Sequence, residues 1–176
     1  MTYTLRTVTA SDIIAATHEL EPIYRSCFSE PPWNPAEEKF DEWPAKLRTQ
    51  MTQPGAGGIL GHKDGKLCGA VYGWPAPQAM PTGTPFNDAL LAATPQHLIP
   101  RLTAPATIVV ELMVDPAHRR RGLAAALLTS YVPPGRSGWL CTHPDAPAAK
   151  LYHKLGWHAA IEFSTGTTPL VVYLHP

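Results

Sequence analysis

The chain is 176 residues long, the size of a single domain spanning residues 1–176, and 44% of it is hydrophobic, enough to build a core. Lys plus Arg number 14 and Asp plus Glu number 14, so a dedicated nucleic-acid binder, which would carry a basic excess, is disfavoured. No apolar run approaches a membrane span, the polar start does not read as a signal peptide, and Cys27, Cys68 and Cys141 are too scattered for a disulfide framework or a zinc site. These features lead us to expect a cytoplasmic protein with no membrane contact, no metal and core-packed thiols.

In chain order, residues 3–8 alternate and predict a first strand. Ser11 or Asp12 is the expected cap of a helix running to about Phe28. Residues 29–34, Ser-Glu-Pro-Pro-Trp-Asn, break it. A second helix is expected over about 36–51, with Phe40, Trp43 and Leu47 on its apolar side and Pro44 kinking or splitting it. Residues 57–62 and 67–74 flank Asp64-Gly65, a hairpin signal. Proline is unusually frequent, 20 residues in all, and many fall between 75 and 105. This Pro-rich insert cannot be one long element, although 87–93 reads as a short helix within it. A strand over Thr107–Val114, a helix over 122–132, a short strand at 139–142 and a helix over 146–155 follow. Asp145 is the expected cap of that last helix, and Gly156 its terminator. Two antiparallel strands, 157–163 and 170–174, complete the chain.

The stretch 108–128 carries the most information. An apolar strand runs into Asp115-Pro116, then a turn rich in arginine and glycine, then an Ala/Leu helix. Such a turn presents free backbone N–H groups at a helix N-terminus and so suits phosphate; Arg119, Arg120 and Arg121 add charge for more than one. Neither a Gly-Lys-Ser/Thr ending nor Gly-x-Gly-x-x-Gly is present. The spacing Arg119-x-x-Gly122-x-Ala124 resembles the pyrophosphate signature of the GCN5-related N-acetyltransferases, the GNAT superfamily. A second segment, Leu151-Tyr152-His-Lys-Leu-Gly156-Trp157, is similar to that family's Leu-Tyr-x-x-x-Gly-Phe.

The resemblance implies an α/β acyl-CoA N-acyltransferase fold: a mixed central sheet of about seven strands, the fourth and fifth splayed, with helices on both faces. It implies acetyl-CoA as donor substrate and a primary amine as acceptor. Pantetheine would pair with the backbone of Leu112, Met113 and Val114, and the pyrophosphate would fall on Arg119, Arg120, Arg121, Gly122, Leu123 and Ala124. Asp145 stands where the family often has Asn and joins the cofactor-binding set. Tyr152 resembles the family's tyrosine near the thioester sulfur, both a cofactor contact and a proton donor to the thiolate. Glu111, a carboxylate among apolar strand residues, is the candidate base; the alternative is a structural carboxylate paired with a core arginine or backbone amide. Tyr24, Phe28, Glu30, Trp33 and Trp74 are candidate acceptor-binding residues. The acceptor itself stays open among small amines, aminoglycoside-like antibiotics, amino acids, polyamines and protein N-termini. A non-catalytic acyl-CoA-binding or regulatory module of the same fold is the rival reading. The insert at 75–105 is expected to wall the acceptor side or a homodimer interface.

Overall fold

The structure, a computed structural model, describes residues 2–176. Its strands are β1 (Thr4–Thr9), β2 (Gly57–Lys63), β3 (Lys66–Pro75), β4 (Thr107–Val114), β5 (Gly138–Thr142), β6 (His158–Thr165) and β7 (Thr168–His175). They form one seven-stranded sheet in the order β1-β2-β3-β4-β5-β7-β6. The helices are α1 (Ala10–Ala15), α2 (Thr17–Phe28), α3 (Glu37–Gln50), α4 (Pro85–Ala93), α5 (Ile99–Leu102), α6 (Leu123–Tyr131) and α7 (Ala149–Lys154). Neighbouring strands are antiparallel in β1–β2, β2–β3, β5–β7 and β6–β7, whereas β4 and β5 run parallel. That parallel pairing joins Thr107, Ile108 and Val109 to Gly138, Trp139 and Leu140 and goes no further. The rest of β4, from Val110 to Val114, keeps an edge without a strand partner on that side.

The chain divides into two compact units: residues up to Trp74 with Val110–Pro133, and Pro75–Val109 with Pro134–Pro176. In the first, helices cover both faces of the sheet. Leu60 on β2 and Ala70 and Tyr72 on β3 join the core of α1, α2 and α3, with Leu20, Ile23, Trp43 and Leu47. Their neighbours Gly61 and Gly69 point the other way, as the two-residue period requires. A Cβ on Gly61 would come within 2.8 Å of Leu123 Cδ1, and one on Gly69 within 2.7 Å of the Met113 carbonyl and 3.3 Å of Leu123 Cδ2. Both positions must be bare for α6 to lie against the sheet. The Asp64-Gly65 turn closes the β2–β3 hairpin with both residues at positive φ, 50° and 76°, the geometry of a two-residue hairpin loop.

The first helical region departs from expectation. It is two helices, broken at Ala16, where the Thr17 hydroxyl turns back to the Ile14 carbonyl at 2.6 Å. The cap is Thr9, one turn earlier than expected: its side chain accepts from Asp12 N–H, and the Asp12 carboxylate accepts from Thr9 N–H, a reciprocal capping box. Thus Asp12 serves as the third residue of the box rather than as the cap. Pro44 does not split α3, which runs unbroken from Glu37 to Gln50; Phe40, Trp43 and Leu47 bury a continuous stripe against the core that holds the helix through the lost backbone bond.

In the second unit the insert is tied down at several points. Ala76 N–H donates to the Ala106 carbonyl and Ala104 N–H to that of Pro77. The Arg101 guanidinium donates to the His175 carbonyl at 2.5 Å, and the Trp139 indole to the Leu102 carbonyl at 3.1 Å. The expected short helix is α4, started by a Thr84 cap and Pro85, and Phe86 meets Phe163 of β6 edge to face at 5.6 Å. α5 was not legible in the sequence, because one turn containing Pro100 shows no period. α7 is shorter than expected, and Asp145 does not cap it. Pro144 and Pro147 interrupt the hydrogen bonding, and turns closed by Ala146 N–H and Ala149 N–H occupy 143–149 instead.

Candidate active site

Past Val114 the chain makes one short 3-10 turn, Pro116–His118, capped by Asp115, whose carboxylate accepts from Ala117 N–H at 2.8 Å. His118 is held by the Tyr3 hydroxyl at 3.1 Å and the Cys68 sulfur at 3.4 Å. Two left-handed residues then swing the backbone into α6: Arg120 at φ 58° and Gly122 at φ 85°. Gly122 is the residue before the helix and provides no side-chain cap. The first helical bond runs from Ala126 N–H to the Gly122 carbonyl, so the N–H groups of Leu123, Ala124 and Ala125 have no acceptor within the helix. Nothing lies within 4 Å of the place a Gly122 Cβ would take. Glycine is therefore favoured here by the positive φ, not by crowding within the protein.

Arg119 does something the sequence reading did not foresee. Its guanidinium donates to the Val114 carbonyl at 3.3 Å and the Ser26 carbonyl at 3.2 Å, and lies 3.7 Å from the Cys27 sulfur. The side chain thereby ties the turn after β4 to the last turn of α2. Arg120 and Arg121 are exposed beside the amides. The Val114 carbonyl is engaged twice, since the Cys27 thiol also donates to it at 3.5 Å. Burial pushes the Cys27 and Cys68 thiols up, and Cys141 to about 12. All three stay protonated near neutrality, although only Cys68 is packed in the core as expected, while Cys27 and Cys141 are half-buried.

Glu111 lies in the unpaired half of β4 and is half-buried. Burial raises its carboxyl to about 7, and only the more distant Lys46 charge pulls the other way. No hydrogen bond or ion pair to the Glu111 carboxylate is found among the described residues, whether from an arginine or from a backbone amide. Its charge reaches Tyr24, Cys27 and Tyr72, and it helps burial hold both phenols well above their ordinary range. Tyr72 is fully buried, and its hydroxyl donates to the Gln50 side chain at 3.2 Å. The buried Trp43 indole N–H comes near that hydroxyl without reaching hydrogen-bond geometry.

Around Glu111 the side chains of α2 and α3 build an aromatic cluster. Tyr24 stacks on Trp43 at 4.5 Å between centroids and 19° between planes, and meets Phe28 at 4.6 Å. Phe28 then meets Trp33 at 5.9 Å, edge on. Trp43 and Phe40 are buried, whereas Tyr24, Phe28 and Trp33 are half-exposed. Arg25 locks α2 to α3 from outside: it lies 4.9 Å over the Phe40 ring and is paired with Glu37 and Asp41. Each aromatic contact is worth about 0.5–1.5 kcal/mol beyond its burial. Of the other acceptor candidates, Glu30 is exposed, with its carbonyl accepting from Trp33 N–H. Trp74 is half-exposed on β3, on the same face as Tyr72 by the two-residue period.

Tyr152 and Asp145 belong to the second unit. Tyr152 is buried in α7 between Tyr173 at 5.4 Å and Trp157 at 6.4 Å. Asp145 is exposed, with its N–H donating to His143 Nδ1 at 3.0 Å. Elsewhere in the first unit, a cavity of about 460 Å³ opens among Thr7, Thr9, Gly57, Ser130 and Tyr131. Its lining contains no carboxylate or histidine and so offers no base at neutral pH.

The model of the Acetyltransferase (GNAT) family matches residues 17–157, well over half of the chain. Comparison with curated protein sequences finds no match. Among solved structures, a protein assigned to the GNAT acetyltransferases from Desulfovibrio desulfuricans superposes with a TM-score of 0.64 at 16% identity, covering 99% of this chain and 98% of its own. The YncA protein from Salmonella typhimurium, solved with acetyl-CoA, gives 0.58 at 15% identity over 99% and 92%. The PaiA N-acetyltransferase from Thermoplasma acidophilum, solved with coenzyme A, gives 0.58 at 11% identity over 99% and 100%. At these identities the structures speak to the fold, whose mixed sheet with parallel β4 and β5 this chain shares. With the family model spanning both the anion turn and Glu111, the chain belongs to the acetyltransferase (GNAT) family.

Proposed function

We propose that this protein transfers an acetyl group from acetyl-CoA to a primary amine of a small molecule or peptide by direct attack on the thioester. The observation that carries this reading is Glu111: a carboxyl near pH 7, without a partner, on the unpaired half of the strand that leads into the anion-binding turn. The donor substrate is held at its pyrophosphate by the N–H groups of Leu123, Ala124 and Ala125, with Arg120 and Arg121 supplying charge. Leu112, Met113 and the Val114 N–H receive the amides of pantetheine along the β4 edge. Arg119 positions α2 rather than gripping the phosphate.

The amine arrives as ammonium and gives a proton to Glu111, directly or through water. The neutral nitrogen attacks the thioester carbonyl, the C–N bond forms and the C–S bond breaks; the nitrogen gives up its second proton to water, which restores the phenol once it has protonated the leaving sulfur, and Glu111 releases the first proton to solvent. The thiolate takes a proton, for which Tyr152 is the proposed donor, to leave as coenzyme A. A base with a pKa near the working pH is the efficient choice for the first step. Backbone N–H groups on β4 supply the contact to the developing oxyanion. Tyr24, Phe28, Glu30, Trp33 and Trp74 form the acceptor side, and Asp145 adds to the donor side. The 75–105 insert serves as a wall of the acceptor side or as a homodimer contact. A panel of amines scored by release of free coenzyme A tests the reading. Turnover dependent on an amine supports it, and tight acetyl-CoA binding without turnover on any amine class refutes it.

A further inference from the structure

We infer that the acceptor is a primary amine carried on an apolar, preferably aromatic, body, which lies along Tyr24, Phe28 and Trp33 while its nitrogen reaches Glu111. This rests on the acetyl-transfer reading and names the substrate class for the same site. Three observations support it. First, Tyr24 lies within electrostatic reach of Glu111, and from it a run of ring contacts leads outward: Tyr24 meets Phe28 at 4.6 Å, and Phe28 meets Trp33 at 5.9 Å. The core members of the cluster are sealed, yet these three keep solvent exposure. Second, Cys27 and Ser26 are fastened to Val114 and Arg119, so the last turn of α2 and its Phe28 are anchored to the end of β4. The aromatic surface is therefore held in place before any ligand arrives, which lowers the entropy cost of binding. Third, seven of the 14 carboxylates fall between Glu19 and Glu42, against only Arg25 and Lys39. The surrounding field draws a cation. Near the aromatic strip, however, Glu37 and Asp41 are committed to Arg25, and Glu42 to Lys39. That leaves the half-buried Glu111 at one end, the exposed Glu30 beside Trp33 and an apolar wall between, a match for an amine with a ring; the further charges of a polycation would lie on that wall, desolvated without partners.

The test compares 2-phenylethylamine, n-butylamine, spermidine and kanamycin with the full chain, following coenzyme A release. It is paired with calorimetric binding of the same amines to the protein saturated with coenzyme A, which reads the site even without turnover. The expected result is a kcat/KM for 2-phenylethylamine roughly tenfold or more above n-butylamine, and above both polycations. Phe28→Ala and Trp33→Ala should each shrink the aryl-to-alkyl ratio severalfold. Trp33→Leu, checked by circular dichroism, provides the milder variant should the alanine forms fold poorly. Equal use of aryl and alkyl amines, preference for spermidine or kanamycin, or a ratio untouched by these substitutions overturns the inference. If no amine is turned over but 2-phenylethylamine binds in a Trp33-dependent way, the acceptor class stands and acetyl transfer falls. If amines turn over without aryl preference, the reverse holds.

Discussion

The turn after β4 and the aromatic face of α2 and α3 differ in what they are built from, and on the proposed function they would recognise ligands by opposite means. The turn works with backbone. Two left-handed residues, Arg120 and Gly122, aim the amides of Leu123, Ala124 and Ala125 outward, and the arginines add charge. The aromatic face works with side chains: Tyr24 and Phe28 of α2 and Trp33 of the turn after it, backed by Trp43 of α3. Anion recognition by main chain needs one local conformation and tolerates change around it; recognition by an assembled aromatic wall depends on long-range packing. Arg119 joins the two, since it stands in the turn's sequence but fastens the last turn of α2.

The largest effect expected is on chemistry at Glu111. Glu111→Gln should lower kcat by about 10²–10⁴-fold at neutral pH, with acetyl-CoA affinity held, and the loss should shrink at high pH as more amine is already neutral. A loss constant across pH would make Glu111 structural and break the link between the two regions. Next is Tyr152→Phe, which keeps the packing against Tyr173 and Trp157 and removes one hydroxyl. Up to about 10²-fold should be lost equally in kcat and kcat/KM if the phenol protonates the thiolate. Unchanged turnover limited by chemistry would return Tyr152 to core packing.

A stability measurement sharpens the comparison without turnover. The folded carboxyl of Glu111 is raised to about 7 from 4.5. Below pH 4.5 both states hold the proton and nothing is lost. Between 4.5 and 7 the unfolded chain releases it first, so folding is increasingly disfavoured, and the full penalty applies above 7. Glu111→Gln removes that penalty, so the variant should gain on the order of 1–3 kcal/mol relative to the parent between pH 4 and 8. A parallel pair of melting curves across that range would contradict the raised pKa. The smallest effects separate the arginines. Arg120→Ala should weaken acetyl-CoA binding severalfold, more so at low salt. Arg119→Ala should instead raise the acceptor KM and lower the melting temperature, because three contacts to α2 and β4 are lost.

The two regions were also unequally legible. β4 and α6 were read nearly residue for residue, because an apolar strand, a turn with fixed glycine spacing and an Ala/Leu helix each announce themselves locally. The Asp64-Gly65 hairpin was legible for the same reason. Glu111 stood out as a carboxylate in an apolar run, but its lack of any partner could only come from the packed structure. Tyr24 and Phe28 lie one helical turn apart on α2 and Trp33 follows in the next turn, so their contacts are local; the stacking of Tyr24 on Trp43 depends on how α2 and α3 pack, which no local pattern encodes. The bonds of Arg119 to Ser26 and Val114 were not legible in the sequence, since their acceptors are carbonyls that carry no residue-type signal. The break at Ala16 and the retreat of α7 from Asp145 were decided by one hydroxyl and two prolines competing with helix propensity.

On the proposed function the turn at 119–125 holds the donor while Glu111 acts only on the acceptor. Calorimetric titration of acetyl-CoA into the parent, Gly122→Val and Glu111→Gln tests it most directly, with circular dichroism confirming the fold of each. Valine at φ 85° is strained and projects into the space before the amides. Binding should weaken at least tenfold in Gly122→Val and stay at the parental value in Glu111→Gln. Equal affinity in the parent and a folded Gly122→Val protein would contradict the account.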